Sequence, residues 1–345
     1  ALFELNTRGD KNPGRIKATE AVLATEAAAL RNGEAALAQL ERDRDTLAGA
    51  RDRRTEADQA LMERRGLLEK ARMAERLEAP DWRERLADAP WAQSNPVAQP
   101  LLTGVSLAAW AVLAPGLPAP AAVLGYSVGE LPAGAVAGLY DADAALALAQ
   151  ARAACMDAAA PAQPTGLLSV GGLPWQAVAD QVTADGLHPS IVREADQLLL
   201  GGPVTALHAW APRLEAQGAR CTPIGARIAS HTPWLAAAVP PWRAHLQAQR
   251  WRPPHTALVA NATARVEWQL PALQEAMAVQ PAQLLRFDLC LGALAERGPR
   301  CVLEVGPCTT LSRLWNRLHP DVPARSLEDF QGPEGVWRWV ERCLG

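Results

Sequence analysis

The residues best able to do chemistry lie in Gly125-Tyr126-Ser127-Val128-Gly129-Glu130, where the apolar run Ala121–Leu124 enters a G-x-S-x-G motif and then a helix-like stretch. A strand-to-helix turn this tight needs glycines beside the serine and pushes the Ser127 hydroxyl out at the end of the strand. It also aims the free N–H groups and positive end of the following helix at that hydroxyl. Ser127 is therefore a candidate nucleophile, and the Val128 N–H a candidate donor to an oxyanion. A purely structural turn is the alternative. Pro132 and Gly134 fit poorly in a smooth helix and predict distortion in its first turns.

A serine nucleophile needs a base, and the chain offers six histidines. His208 and His245 fall in amphipathic helical stretches, while His188, His255 and His319 each adjoin proline in loops where histidines are commonly solvated. His231 stands apart, in Arg227-Ile-Ala-Ser-His-Thr-Pro-Trp234, and is the candidate general base. No other catalytic chemistry is signalled. The six cysteines show no C-x-x-C or Cys/His ligand spacing, so no metal and no disulfide framework is expected. Nor is there a G-x-x-x-x-G-K loop.

Elements that could position these groups follow from the pattern beyond about Trp82, where short apolar runs alternate with amphipathic stretches as in an α/β protein with a parallel sheet. Candidate strands include 121–124, 257–260 and 301–305. Between them, 165–170, 175–182, 190–194, 197–200, 204–217 and 220–224 spell βαββαβ, the ferredoxin-like order. The expected organisation is a large α/β-hydrolase-like subdomain over 80–164 and 226–345, with a ferredoxin-like small subdomain, 165–225, inserted in it.

Residues 1–79 differ in kind. Thirty of these 79 residues are charged, against 41 of the remaining 266; all three lysines lie here, and all twelve tryptophans and six cysteines lie after. Residues 15–78 lack proline and repeat apolar residues at intervals of seven (Ile16, Leu23, Leu30, Leu37, then Leu40, Leu47, Leu61, Leu68), with the register slipping after Leu37. A helical hairpin and one long helix both fit. About one apolar residue per heptad suits a surface helix better than a coiled coil, which uses two; a protein partner for residues 11–79 is the alternative.

Composition limits the rest. A 345-residue chain with 49% hydrophobic residues and a net charge of −3 has the makeup of a globular protein with a sizeable core, and not of a nucleic-acid or anionic-membrane binder. No apolar run reaches eighteen residues and no secretory signal is visible, so neither a membrane span nor export is expected, and the cytoplasm is the expected compartment.

Taken together, these segments resemble the malonyl-CoA:acyl carrier protein transacylase superfamily, which includes polyketide synthase acyltransferase domains and the transacylase subunit of malonate decarboxylase. Gly125–Glu130 is similar to the family's G-x-S-x-G-E, and Leu146–Met156 to its helix with arginine four residues before methionine. Ala229-Ser-His231-Thr-Pro233, Val259-Ala-Asn261-Ala-Thr263 and Glu304-Val-Gly-Pro307 resemble its histidine, N-x-T and E-x-G-P motifs, in the same order. Cys308 stands where that last turn commonly has glycine. The ending, Val322–Phe330, looks most like the malonate-decarboxylase members.

The resemblance implies transfer of a malonyl or substituted malonyl group from CoA, through an acyl-Ser127 intermediate, to the phosphopantetheine thiol of an acyl carrier protein, with no bound cofactor. His231 would be the base, oriented by a backbone carbonyl. Arg152 would hold the free carboxylate, and Tyr126, Ser230 and Asn261 would belong to the substrate pocket, where Ala229-Ser230 leaves room for an α-substituent. The family's second oxyanion donor comes from an N-terminal G-Q-G-x-Q loop, and nothing like it is present. A serine hydrolase or thioesterase, and a catalytically weak scaffold, remain the alternatives.

Overall fold

The computed structural model describes residues 81–345 continuously, together with ten scattered positions between Thr25 and Ala79. The chain divides into two compact units, Ala1–Asp81 and Trp82–Gly345. The described positions within 25–34, and Met73 and Arg76, are helical; whether 1–79 forms a hairpin or a single helix, and what stands in place of the G-Q-G-x-Q loop, lie outside the described residues.

In the second unit, helix α1 (Asn95–Leu113) precedes strand β1 (Ala122–Leu124), a 3-10 turn at Ser127–Gly129, α2 (Glu130–Ala137) and α3 (Ala142–Ala158). The chain then builds β2 (Thr165–Gly171), α4 (Trp175–Val182), β3 (His188–Glu194), β4 (Gln197–Pro203), α5 (Val204–Glu215) and β5 (Arg220–Ile224). It returns through α6 (Val239–Ala248), β6 (Ala257–Ala260), β7 (Arg265–Glu267), α7 (Leu270–Val279), β8 (Leu285–Arg286) and α8 (Phe287–Ala295). It ends with β9 (Val302–Glu304), α9 (Thr310–Leu318), β10 (Ala324–Ser326) and α10 (Pro333–Leu344).

The middle segment pairs its strands in the order β5-β2-β4-β3, all antiparallel, and β8 adds a fifth strand parallel to β3. Side-chain alternation sorts its two faces. Leu168, Val170, Val192, Leu198 and Leu200 pack under α4 and α5 with Val178, Val182, Leu207 and Leu214. Leu167, Ile191 and Leu199 point the other way, into a second core with Phe287, Leu314 and Trp315.

The parallel sheet is less continuous than the apolar runs suggest. β1 pairs with β6 in parallel, Val123 opposite Leu258, but β6 is then closed by antiparallel β7. Past Asn261 the chain reverses in a tight turn, with the Ala264 N–H donating to Ala260 O (2.8 Å) and Ala264 at φ 54°. β9 pairs with β10 in a separate two-stranded parallel ladder among the described residues.

α1 also departs from expectation. Asn95–Gly116, 22 residues, is long and apolar enough by length and composition to cross a membrane. Gln99, Thr103 and Ser106 interrupt its apolar run without bringing in a charge, so counting uninterrupted apolar residues overlooks it. One side of it packs along α3, with Val97, Gln99 and Thr103 buried, while Leu102 and Val105 are exposed.

The Glu304-Val-Gly-Pro307 turn caps α9. Glu304 Oε1 and Oε2 accept the Leu311 and Ser312 N–H groups (3.1 and 2.8 Å), two of the donors that a helix start leaves open. Cys308 in this turn has φ 88°, a left-handed value suited to glycine. The turn thus keeps a glycine's geometry with a side chain present, at a cost of about 1–3 kcal/mol. Cys308→Gly is expected to raise unfolding stability by about 1 kcal/mol, read from denaturant midpoints, whereas Cys308→Ala should not.

Candidate active site

Ser127 sits at φ 55° between β1 and α2, a strained turn that presents its side chain away from the backbone. Only one of the two flanking glycines is required sterically. A Cβ on Gly125 would lie 2.1 Å from Gly129 C and O and 2.2 Å from Glu130 N, whereas a Cβ on Gly129 meets nothing within 4 Å. The expected distortion of the first turn is the 3-10 turn at Ser127–Gly129, after which α2 runs regularly past Pro132.

The parallel pairing of β1 with β6, Leu124 opposite Val259, carries Asn261 to the back of this turn. Its Oδ1 accepts the Ser127 N–H (3.0 Å), its Nδ2 donates to Gly125 O (2.8 Å), and its N–H donates to Glu130 Oε1 (2.7 Å). Both ends of this amide bond to backbone of the elbow, and Oδ1 also lies 3.4 Å from Gln280 Nε2. Asn261 thus clamps the elbow.

His231 approaches from the segment that leaves β5, itself at φ 59° and 1% exposed. Its Nε2 lies 2.7 Å from Ser127 Oγ and its Nδ1 2.7 Å from Gln280 O, while its N–H donates to Pro281 O (2.7 Å). The two carbonyls follow the end of α7, where helix geometry leaves acceptors unfilled. A carbonyl at Nδ1 can only accept, so Nδ1 carries the proton and Nε2 is free to accept one from Ser127. Burial first, and then the charge of Arg152, push the His231 pKa down to about 3, against the opposing pull of Gln280 O. The ring is thus neutral at ordinary pH, the form a base requires.

Arg152 comes from the middle of α3 and is 3% exposed. Its Nη1 donates to Gln99 Oε1 and its Nη2 to Gln280 Oε1, both at 2.7 Å, and Nη2 also lies 3.5 Å from Ser127 Oγ. Its hydrogen-bond partners are neutral amides. Burial lowers its pKa to about 10, opposed by Glu130, and the group stays charged. Glu130 is 1% exposed, and its Oε2 accepts from Gln280 Nε2 (2.8 Å). Burial raises its pKa to about 7, restrained by the Asn261 N–H, Arg152 and Gln280. Gln280 Nε2 also donates to Ser127 O (2.8 Å), so this one residue touches the serine, the histidine, the arginine and the glutamate.

The structure thus brings Ser127, His231 and Arg152 together. Val128 follows Ser127 in the 3-10 turn, and its N–H has no acceptor among the described residues. Tyr126 and Ser230 are chain neighbours of the pair but bond elsewhere: the Tyr126 ring meets Phe287 edge-on at 4.7 Å, and Ser230 O accepts from Ser190 Oγ (2.8 Å). Among the described residues no cluster of His, Cys, Asp and Glu could hold a metal ion.

Sequence reasoning missed Gln99 and Gln280 and left Glu130 without a role. The available signal was an isolated amide before proline in an apolar stretch, Ala98-Gln-Pro100 and Val279-Gln-Pro281.

A serine on a strained elbow, a buried histidine within hydrogen-bond distance of it and a buried arginine beside both are brought together on a two-part α/β scaffold. The chain belongs to the acyl transferase domain family, whose profile matches residues 26–321. The malonyl CoA-acyl carrier protein transacylase of Mycobacterium tuberculosis (strain ATCC 25618 / H37Rv) is 33% identical over 245 residues, 71% of this chain and 80% of that protein. The crystal structure of MCAT from Mycobacterium tuberculosis superposes with a TM-score of 0.70 at 28% identity, covering 80% of this chain and 90% of that one. A type II PKS acyl-carrier protein in complex with its malonyl-transacylase shares the fold, with a TM-score of 0.71 at 23% identity over 78% of this chain and 90% of that one.

The contrast between the two glycines is open to test. Gly125→Ala should abolish labelling of Ser127 by a fluorophosphonate probe and lower the melting temperature, whereas Gly129→Ala should melt within a degree or two of the parent, since surface changes without contacts shift stability by less than about 0.5 kcal/mol.

Proposed function

We propose that this protein transfers a malonyl-type acyl group from CoA to the thiol of an acyl carrier protein through an acyl-Ser127 intermediate, in fatty acid or polyketide metabolism. The observation that carries the reading is the Arg152 guanidinium, buried beside Ser127 Oγ and hydrogen-bonded to neutral groups, with no carboxylate in contact. A buried cation without a carboxylate partner is costly, and a substrate bringing its own carboxylate offsets that cost. The planar fork suits a bidentate contact with the malonyl terminus.

In this mechanism His231 Nε2 takes the Ser127 proton as Oγ attacks the thioester carbonyl. The Val128 N–H donates to the oxyanion, the C–S bond breaks, and the CoA thiolate leaves with a proton from the His231 imidazolium. Carrier thiol then enters and gives its proton to His231 as its sulfur attacks the acyl-serine carbonyl; the bond to Ser127 Oγ breaks, Oγ takes the proton back from His231, and the acyl carrier thioester leaves, so the cycle is ping-pong. Gln280 O takes the role an aspartate plays in other triads, holding the ring and favouring the transient imidazolium. The small residues Ala229 and Ser230 beside the base leave space for an α-substituent. No bound cofactor enters the cycle, and both partners are water-soluble, which supports a cytoplasmic setting.

Labelled malonyl-CoA should leave one acyl group on Ser127 and none on Ser127→Ala; rapid release of free malonate without transfer would make the protein a thioesterase instead. Arg152→Ala should lower kcat/KM for malonyl-CoA by about 10²–10³-fold, as expected for losing one partner of a buried charge pair, and affect acetyl-CoA far less.

The pH dependence has a definite sign. Because His231 titrates near 3, the acylation rate should not fall as pH drops from 8 to 5, where an ordinary histidine of pKa near 6.5 would already be protonated. Removing the Arg152 charge removes one of the two causes that depress it. With Arg152→Met and acetyl-CoA, the acid limb should therefore move to higher pH.

A further inference from the structure

The transfer reaction leaves a cluster of arginines unused. Arg193 on β3 and Gln197 on β4 face Thr310, Arg313, Leu314 and Arg317 on α9 across a pocket of about 210 Å³. One carboxylate opposes the three guanidinium groups: Arg317 Nη2 lies 2.6 Å from Glu194 Oε1. Arg193 Nη2 donates to Ser169 Oγ (2.8 Å), and its Nε is buried without a partner. The Arg313 side chain has no hydrogen bond or ion pair among the described residues. Arg313 and Arg317 are also an i, i+4 like-charge pair, which destabilises a helix unless something compensates it.

The position of the pocket matters as much as its charge. Ser190 Oγ donates to Ser230 O, next to His231, and Arg193 stands three residues further along the same strand. Tyr126, the neighbour of Ser127, packs against the same core as Ile191 and Leu314, so the pocket and the serine turn border one core. The start of α9 is not itself the attraction, because the Leu311 and Ser312 N–H groups already belong to Glu304. The side chains make the site.

We propose that the Arg193–Arg313–Arg317 pocket binds the phosphate at the far end of a pantetheine-bearing substrate. Two guanidinium groups without carboxylate partners match the charge of a phosphate, and their fork geometry matches its oxygens. The chemistry is shared by the nucleotide phosphates of CoA and the phosphodiester of a carrier arm. The assignment of pantetheine rests on the acyl-transfer reading; the anion site itself does not.

Calorimetric titration of the full chain tests this with four ligands: CoA, adenosine 3′,5′-bisphosphate, phosphopantetheine and inorganic phosphate. Arg313→Gln, at an exposed position, is expected to weaken phosphate-bearing ligands about tenfold, and higher salt should weaken them further in the parent than in the variant. The ratio of kcat/KM for an acyl-CoA to that for the phosphate-free acyl-N-acetylcysteamine thioester should fall by a similar factor. Loss confined to the adenosine bisphosphate and CoA assigns the pocket to the nucleotide, and loss with phosphopantetheine assigns it to the arm. If Arg313→Gln and Arg193→Gln both bind all four as the parent does, the proposal is wrong. If the anions bind tightly but no acyl-serine forms, the pocket stands and the transferase reading fails.

Discussion

A guanidinium buried without a carboxylate in contact sets the conditions for everything around Ser127. Arg152 is held by two amide oxygens, those of Gln99 and Gln280, that satisfy its donors without cancelling its charge. The nearest acid, Glu130, is kept one side chain away by Gln280, which bonds to both. In a low-dielectric interior such a charge acts strongly on its neighbours. It adds to the larger effect of burial in lowering the His231 pKa, and it leaves a positive charge without a carboxylate in contact, 3.5 Å from Ser127 Oγ. Replacing Gln280 by an acid would neutralise the charge and remove both effects together, which is a physical reason for an amide at this position.

Gln280 also links the site through its backbone. Its side chain faces Ser127, Glu130 and Arg152, while its carbonyl, at the end of α7, receives the His231 Nδ1 proton. A helix C-terminus carries partial negative charge, and the Gln280 carbonyl in the 3-10 turn that continues from α7 holds the histidine in one tautomer and favours its protonated form. This is milder than a carboxylate would be. A buried aspartate beside His231 would raise its pKa and would also pair with Arg152, taking the charge the substrate needs.

Much of this could be read from residue order, for reasons that differ by element. The βαββαβ segment was legible because β2 to β4 read as short apolar runs bounded by turn residues, with the helical stretches of α4 and α5 between strands, so local pattern and tertiary packing agree. The serine elbow was legible because Gly125 has a steric reason that no other residue satisfies. The clamp by Asn261 was not, since its role depends on which strand pairs with β1, and a motif resemblance cannot tell a residue behind the elbow from one in front of it. Gln99 and Gln280 escaped notice because an amide carries no charge signature, and only its burial among apolar neighbours reveals a partner. The interrupted parallel sheet has a similar cause: the apolar run 257–260 marks a strand but not the turn at Ala264 that closes its far side.

Both members of the hydrogen-bonded pair occupy left-handed backbone, Ser127 at φ 55° and His231 at φ 59°. Each such residue costs on the order of 1–3 kcal/mol and persists only where the surroundings over-determine it. The surroundings here do so from opposite sides. Asn261 grips the serine turn through Gly125 O and the Ser127 N–H, and the end of α7 grips the histidine through its N–H and its Nδ1. Asn261 follows β6 and Gln280 follows α7, so one short stretch of chain holds both halves of the pair. The same stretch also supplies one of the two amides that hold Arg152, the other being Gln99 on α1, so the spacing of Ser127 and His231 is set largely by one piece of backbone, to which Arg152 is tied from one side.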